Sequence, residues 1–424
     1  MSSPRYPEYK DSGVAWLGEV PTHWVVAPFY SVATEREEPN VGMQENNLLS
    51  LSYGRIVQKD ITSNDGLLPE SFETYQVVRP GDIIFRLTDL QNDKRSLRTA
   101  IVEETGIITS AYVAAKPIKV EPRYLSQLLR AYDVTKVFYS MGGGLRQSMK
   151  FSDLKRLPTL LPPLEEQSAI ATFLDRETGK IDALVAEQEK LIALLKEKRQ
   201  AVVSHAVTKG LNPAAPMKDS GIEWLGEVLE HWEVRAIKHI VSTPITDGPH
   251  ETPNFPDEGI PFVSAEAVSS GNIDFSKIRG FISEEDHLRY SEKYRPQKGD
   301  IFMVKSGATT GVTAIVETDI EFNIWSPLAV IRCGEKALPR FVLNFMRSKN
   351  FQEAVTLNWS FGTQQNIGMG VIENLSATIP PINEQRQIAA LLDRETAKLD
   401  ALTAEAQRAI ELLKERRSAL ISAA

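Results

Sequence analysis

PPLEEQSAIATFLDRETGKIDAL, residues 162–184, recurs as PPINEQRQIAALLDRETAKLDAL at 380–402; over the longer span 162–199 against 380–417, 23 of 38 positions are identical at an offset of 218. A second block, YKDSGVAWLGEVPTHWVV at 9–26, recurs as MKDSGIEWLGEVLEHWEV at 217–234, with 12 of 18 positions identical at an offset of 208. Self-similarity on this scale means two copies of one structural unit. The change of offset makes the second intervening segment ten residues longer. Between the blocks only faint echoes survive: Arg79-Pro-Gly-Asp-Ile against Lys298-Gly-Asp-Ile, and Gly144-Leu-Arg-Gln147 against Gly362-Thr-Gln-Gln365, each Gln fifteen residues before its Pro-Pro pair. By these offsets Ala424 matches Ala206 and Met1 matches Lys209. A closed, pseudo-twofold and circular organisation with neighbouring termini is expected.

The Pro-Pro blocks read as long helices, since proline leads into a helix but does not sit inside one. Ile170, Leu174, Ile181, Leu184, Leu191 and Leu195 in the first, and Ile388, Leu392, Leu399, Leu402, Leu413 and Leu420 in the second, predict a heptad seam. Glu177, Gln188, Lys198, Glu395 and Arg416 interrupt it with polar register markers. Roughly forty residues at ~1.5 Å each give a rod of roughly 60 Å. Two such rods separated by a globular segment pair antiparallel. Further apolar residues (Phe173, Val185, Ile192, Leu194; Leu391, Ile410, Leu412) widen the stripe and leave area for a partner. Trp16, His23 and Trp24, with Trp224, His231 and Trp232, read as packing residues that lock each variable segment to the end of a rod.

The segments 27–161 and 235–379 carry short β-like runs, such as Leu49–Tyr53, Asp82–Phe85, Asp300–Val304 and Leu328–Arg332, with a helical stretch near 122–137 and 338–354. The class is α+β: two similar mixed α/β domains separated by two long antiparallel coiled-coil helices. The boundaries read as 1–161 for the first variable domain, 162–210 for the first helix, 211–379 for linker and second domain, and 380–424 for the second helix.

The chain has 424 residues, 42% hydrophobic and 25% charged, with a single cysteine, Cys333. That composition suits a globular protein without a disulfide framework or a cysteine-based zinc cluster. No stretch approaches a membrane span, and Met1-Ser-Ser-Pro-Arg-Tyr-Pro lacks a signal peptide's apolar core, so a cytoplasmic protein with no membrane partner is expected. Walker, GxGxxG and HExxH motifs are missing, no Asn/Asp-Pro-Pro-Tyr/Phe methyltransferase motif occurs, and the six histidines have no ligand spacing. No catalytic and no metal-ligating residue is assigned.

What the variable segments offer is hydrogen-bonding loops. Arg86-Leu-Thr-Asp-Leu-Gln-Asn-Asp-Lys-Arg-Ser-Leu-Arg98 interleaves four cations with amides and hydroxyls, chemistry that suits both phosphate positioning and base edges. In the second half, Asp247–Pro253, Lys305–Gly311 and Asn358–Asn366 are comparable. The DNA-binding candidates in the first half are Ser52, Tyr53, Arg55, Lys59, Arg86, Lys94, Arg95, Arg98, Arg146, Gln147 and Lys150. In the second half they are His250, Thr252, Lys277, Arg279, Lys305, Ser306, Thr309, Thr310, Asn358, Gln364 and Gln365.

The paired KDSG-xx-WLGEV-xx-HW motifs, the paired PP-xxEQ-xxIA-xxLDRET blocks, the Gly-Asp-Ile turns and the GxxQ segments, in this order, resemble the specificity (S) subunit of Type I restriction-modification enzymes over essentially the whole chain. The resemblance implies two target recognition domains, each reading one half of a split sequence in double-stranded DNA. It implies helices that set the spacer and dock two modification (methyltransferase) subunits, with restriction (motor/endonuclease) subunits as further partners. It implies a non-catalytic chain without a cofactor, S-adenosylmethionine and ATP belonging to the partner subunits. A related methyltransferase or phage-defence assembly without the Type I motor, and a coiled-coil scaffold that binds no DNA, stay open as alternatives.

The net charge of −8 is unevenly spread. Residues 27–163 hold 17 cations and 16 anions, whereas 211–381 hold 15 and 22. An acidic reader is a poor binder of DNA by itself, so recognition is expected to require the partner complex.

Overall fold

The computed structural model describes residues 6–61, 69, 71–88, 90, 97–141, 148–269, 271–361 and 364–424, apart from the side chains of Ser140 and Phe361. It contains two compact units: residues 1–189 with 408–424, and residues 190–407. Neither long helix forms a body of its own. The first helix (Leu164–Lys209) and the second (Ile382–Ala423) each contribute one stretch to each unit. The beginning and end of the chain share the first unit, which is what a circular repeat requires.

The two units have the same construction. In the first, a hairpin pairs Tyr9–Asp11 with Glu19–Pro21, and Val25–Pro28 pairs antiparallel with Pro158–Leu161. In the second, Met217–Asp219 pairs with Glu227–Leu229, and Glu233–Ala236 with Ser376–Ile379. The strands that open and close each variable segment are thus stitched together. Inside lies a four-stranded sheet in the same spatial order in both units: Ala33–Glu35, Val113–Pro117, Ile83–Phe85, Thr99–Ile101, and Thr246–Asp247, Leu328–Ile331, Ile301–Val304, Thr313–Ile315. A second sheet accompanies it, four-stranded around Leu48–Ser52 and three-stranded around Ile260–Val263. The expected helical stretches are Pro122–Val134 in one unit, and Pro339–Met346 followed by Lys349–Leu357 in the other. Each shares a buried core with the sheet and the start of a long helix: Leu125 with Ile83, Phe85 and Ala171 in the first unit, and Phe341 with Ile301, Ile388 and Leu392 in the second. The fold is mixed α/β, as the sequence indicates.

The echoed Gly-Asp-Ile motif is a turn closed by a buried carboxylate. Asp82 accepts the Arg79 N–H and a bidentate pair from Arg36 at 2.8 and 2.9 Å; Asp300 accepts the Gln297 N–H and Arg332 at 2.7 and 2.8 Å. Gly81 and Gly299 sit at φ +91 and +93, as the third residue of such a turn demands.

The repeated Glu-Gln of the helix starts explains the repeated His-Trp. Glu384 accepts the Trp232 indole N–H at 3.1 Å, with His231 Nε2 2.9 Å away; Glu166 does the same for Trp24 and His23 at 3.1 and 2.9 Å, and also takes the Tyr6 hydroxyl. Burial pushes the Glu166 carboxyl up, but the hydrogen bonds from Tyr6, His23 and Trp24 outweigh it and hold the group below the usual carboxylate range. The neighbouring Gln167 and Gln385 donate to Pro162 O and Pro380 O, both at 2.8 Å, and accept the N–H of Glu121 and Leu338, the N-caps of the variable segments' helices. The Trp and His residues are the lock that their repetition suggests. Trp16, half-exposed, packs edge-on against Tyr132 at 4.9 Å.

The helix seam differs from the expectation. Leu174, Thr178, Ile181, Val185, Gln188, Ile192, Leu195 and Arg199 form the inward face, and the same residues plus 218 form it in the second helix, from Leu392 to Arg417. Ile170 and Ile388 are inside at the helix starts and Leu413 and Leu420 are half-buried, but Leu184, Leu191 and Leu402 are exposed. The cause is polar. Thr178, satisfied by donating to Leu174 O at 2.7 Å, and Arg199 occupy seam positions that a purely apolar pattern steps past. Arg417 meets Asp182 at 3.1 Å in the first unit, and Arg199 meets Asp400 at 3.1 Å in the second. Both pairs sum to 599 and are related by the 218 offset, so the helices run antiparallel in each unit with one register. The register markers are these residues, one position beyond Lys198 and Arg416; Glu177 and Glu395 instead pair along their own helices with Lys180 and Lys398. Among the described residues no helix is long and apolar enough to cross a membrane.

Leu195→Ala is expected to cost about 2–5 kcal/mol, the usual range for a truncated buried leucine, whereas Leu184→Ala stays within about 0.5 kcal/mol; denaturant unfolding of the two variants decides between the seams. Glu384→Ala strands the fully buried Trp232 indole N–H and should cost about 1–3 kcal/mol, a fall of roughly 5 °C in the melting of that unit. A melting point equal to wild type would show that the lock carries no stability.

Candidate nucleic-acid interface

In the second unit the segment Asp247-Gly-Pro-His-Glu251 is a hub. Asp247 is 1% exposed, and three side chains converge on its carboxylate: Lys293 Nζ at 2.6 Å, His250 Nε2 at 2.9 Å and Lys305 Nζ at 3.3 Å. Burial raises the Asp247 carboxyl, but Lys293 and Lys305 outweigh it and hold it below its ordinary value. Gly248 is obligatory here, because a Cβ would fall 2.0 Å from the Ile324 carbonyl oxygen. At the other end of the segment, Glu251 accepts the Tyr290 hydroxyl at 2.8 Å and pairs with Arg289 at 2.8 Å, while its carbonyl takes the Trp325 indole N–H at 3.2 Å. Burial, then the Glu251 hydrogen bond, pushes Tyr290 up to about 12.

Lys305 joins this hub to a second group. The loop that follows it lies against the hairpin of Ser360–Phe361 and Gln365–Asn366: Ile367 N donates to Lys305 O at 2.9 Å, Gly307 N to Gln365 O at 3.0 Å, and Ser306 bridges Asn366. The candidates Lys305, Ser306, Thr309, Thr310 and Gln365 are therefore brought together, with His250 held beside them through Asp247. Within this group Thr310 turns inward. It is 8% exposed and donates to Gly307 O at 2.7 Å, a loop-closing role rather than the surface contact expected of it. Gln364 and Gln365 are exposed on the hairpin, and Asn358 caps the preceding helix by donating to Ala354 O at 2.8 Å. Thr252 is exposed, Lys277 pairs with Asp274 at 3.4 Å, and the Arg279 guanidinium lies 4.2 Å from the centre of the Trp325 ring.

The first unit places fewer candidates together. Leu48–Ser52 and Arg55–Lys59 form a hairpin whose tip is Tyr53-Gly54, at φ +46 and +75, the two-residue turn suited to strand twist. Tyr53 is 79% exposed, although a non-glycine residue in this backbone region is strained. Ser52 is half-buried and Lys59 exposed on the same hairpin. Arg55 is spent on the Asp182 carboxylate of the first long helix at 3.0 Å, the group that also holds Arg417. Arg98 is a correction. Expected beside a phosphate, it is fully buried, donating to Thr88 O at 3.1 Å and to the Tyr139 hydroxyl at 3.3 Å, with its backbone N–H on Asp133. A guanidinium held by the Thr88 carbonyl and a phenol oxygen inside the unit is not placed to meet a phosphate. Arg86 is half-buried beside it, and the exposed Lys150 begins the short helix Phe151–Leu154. Lys94, Arg95, Arg146 and Gln147 lie outside the described residues.

Two features escape the sequence reading. Arg130 and Arg347, one in each unit, are half-buried and donate to the carbonyls of Gly54 and Thr99, and of Gly271 and Thr313. Burial pulls both guanidinium groups down to about 10. Their offset of 217 is the available signal, one residue away from the 218 of the helices. The other is the helix Glu284–Lys293, which supplies Arg289, Tyr290 and Lys293 to the hub. It is legible as Ser283-x-x-Asp286, with acidic residues in the first turn and lysine in the last; Ser283 Oγ indeed accepts the Asp286 N–H at 3.1 Å. Among the described residues no His, Cys, Asp and Glu cluster is arranged to hold a metal ion.

Acid should disturb this hub. The folded state favours the ionised form of Asp247, so its contribution is present above the ordinary carboxylate range and is lost as pH falls through the lower folded value. Asp247→Asn is expected to flatten the acid limb of the unit's stability between about pH 5 and 3, read by thermal melting across pH. An unchanged limb would deny the carboxylate this role.

Comparison with known proteins agrees with the architecture. Residues 230–412 match the family described as Type I restriction modification DNA specificity domain. The chain is 22% identical over 417 residues to the Type I restriction enzyme EcoKI specificity subunit of Escherichia coli K12, covering 93% of this chain and 86% of that protein. It is 26% identical over 394 residues to the putative type I restriction enzyme MjaX specificity subunit of Methanocaldococcus jannaschii, covering 89% and 87%. A solved chain from work on complex assembly and conformational transition of the type I R-M system shares the fold, with a TM-score of 0.68 at 18% identity, covering 95% of this chain and 97% of that one. The resemblance to Type I DNA specificity subunits thus holds over both halves of the chain.

Proposed function

We propose that this chain, a relative of the Type I specificity subunits, recognises a bipartite DNA sequence, each variable segment reading one half and the paired helices setting the distance between them. The observation that carries the reading is the duplicated ion pair, Asp182–Arg417 and Arg199–Asp400. One helix register serves two units whose variable surfaces differ, and a split, asymmetric target calls for two unlike readers on one spacer, as palindromes call for symmetric dimers. The exposed Leu184, Leu194, Leu402 and Leu412 leave apolar area on the helices, which suits packing against two methyltransferase subunits. Those subunits would bring S-adenosylmethionine and most of the cationic channel; restriction subunits would bring ATP. This chain itself performs no chemistry and acts by positioning.

Exchange of residues 27–161 for the corresponding segment of another such subunit, followed by mapping of methylated sites in host DNA, tests the reading. One half of the modified sequence should change and the other persist. A change in both halves would sink the modular assignment. Removing a heptad from each helix should shorten the gap between halves without altering either.

A further inference from the structure

The acidic second unit uses its arginines on itself. Across 235–379, Arg235, Arg289, Arg295, Arg332 and Arg340 are committed to carboxylates, and Arg347 to backbone carbonyls. Arg279 is the exception: among the described residues its side chain makes neither a hydrogen bond nor an ion pair. It is exposed, yet it is not loose. Its guanidinium lies 4.2 Å from the Trp325 ring centre and 5.9 Å from that of Phe255. Its backbone N–H donates to Phe262 O at 3.2 Å, beside the paired strands Gly280–Ile282 and Ile260–Val263.

The platform is itself fixed. Trp325 donates its backbone N–H to Val263 O at 2.9 Å and its indole N–H to Glu251 O at 3.2 Å, so it continues directly into the Asp247–Glu251 hub. Phe255 lies over Gly280 so closely that a Cβ there would stand 2.7 Å from the ring, which reserves that position for glycine. Stacking satisfies the faces of a guanidinium and leaves its in-plane N–H fork unspent. A planar, charged, five-donor fork held beside a sheet, with no acceptor among the described residues, matches one ligand edge above others: the O6 and N7 acceptors of guanine in the major groove.

Resting on the bipartite reading above, we propose that Arg279, stacked on Trp325 and Phe255, is a specificity-determining residue that recognises a guanine in the half-site read by the second unit. Arg279→Lys separates this from a phosphate contact, because lysine keeps the charge and the stem over Trp325 but has no fork.

The test uses the full chain in its complex with the methyltransferase subunits. Methylated-site mapping and competition binding are compared for wild type, R279A and R279K, with thermal melting confirming that each is folded. Both variants should lose discrimination at one G·C position of one half-site by on the order of tenfold to a hundredfold, with every other position unchanged. R279K that retains wild-type discrimination would make Arg279 a phosphate contact and overturn the proposal. R279A with an unaltered motif would reduce the stack to packing and overturn it equally. A wild-type complex that modifies no split sequence is a different failure, of the bipartite reading itself.

Discussion

The carboxylate and amide at the start of each long helix hold the rest of the molecule in place. An indole N–H buried without an acceptor is costly, and so is the unsatisfied first turn of a helix. Glu384 answers the first need for Trp232, and Gln385 the second for the helix Pro339–Met346. Glu166 and Gln167 do the same for Trp24 and the helix Pro122–Val134. Two adjacent side chains thereby tie the repeated N-terminal block, the variable segment and the rod into one unit. The four repeated residue types, His, Trp, Glu and Gln, are a single hydrogen-bonded device.

Electrostatics follows from that frame. The variable segments are held by the lock and by buried Arg-Asp turns, so their surfaces need little charge for folding. In the second unit most cations nevertheless face carboxylates, an arrangement that lowers the free positive charge available to a polyanion. A surface built this way gains little non-specific affinity for a polyanion and depends on a few oriented groups.

Much of the architecture was legible in the sequence because repetition is insensitive to local ambiguity. The helix ends, the strands around Asp82–Phe85 and Asp300–Val304, and the His-Trp lock all followed from matched residues. The seam was misplaced where Thr178 and Arg199 occupy inward positions, since an apolar pattern passes over polar groups that are satisfied locally. The surface was harder to read. Arg98 belongs to a run that looks solvated, yet it is itself buried, because the Thr88 carbonyl and a tyrosine hydroxyl supply its acceptors; no one-dimensional pattern records which acceptors a fold will bring. Lys305 and His250 were recognised as polar loop residues, but Asp247, which gathers them, was not distinguishable from any other acidic residue until its burial was known.

The stitched strands Val25–Pro28 with Pro158–Leu161, and Glu233–Ala236 with Ser376–Ile379, have an evolutionary consequence. With the two ends of a variable segment clamped side by side, the entropy of closing the loop between them grows only logarithmically with its length. The ten extra residues of the second segment therefore cost well under ~1 kcal/mol. Changes of length in the loops of the interior therefore add little closure cost so long as the clamp survives. Selection on this chain is free to lengthen or shorten those loops while the core that packs on the helix starts stays fixed.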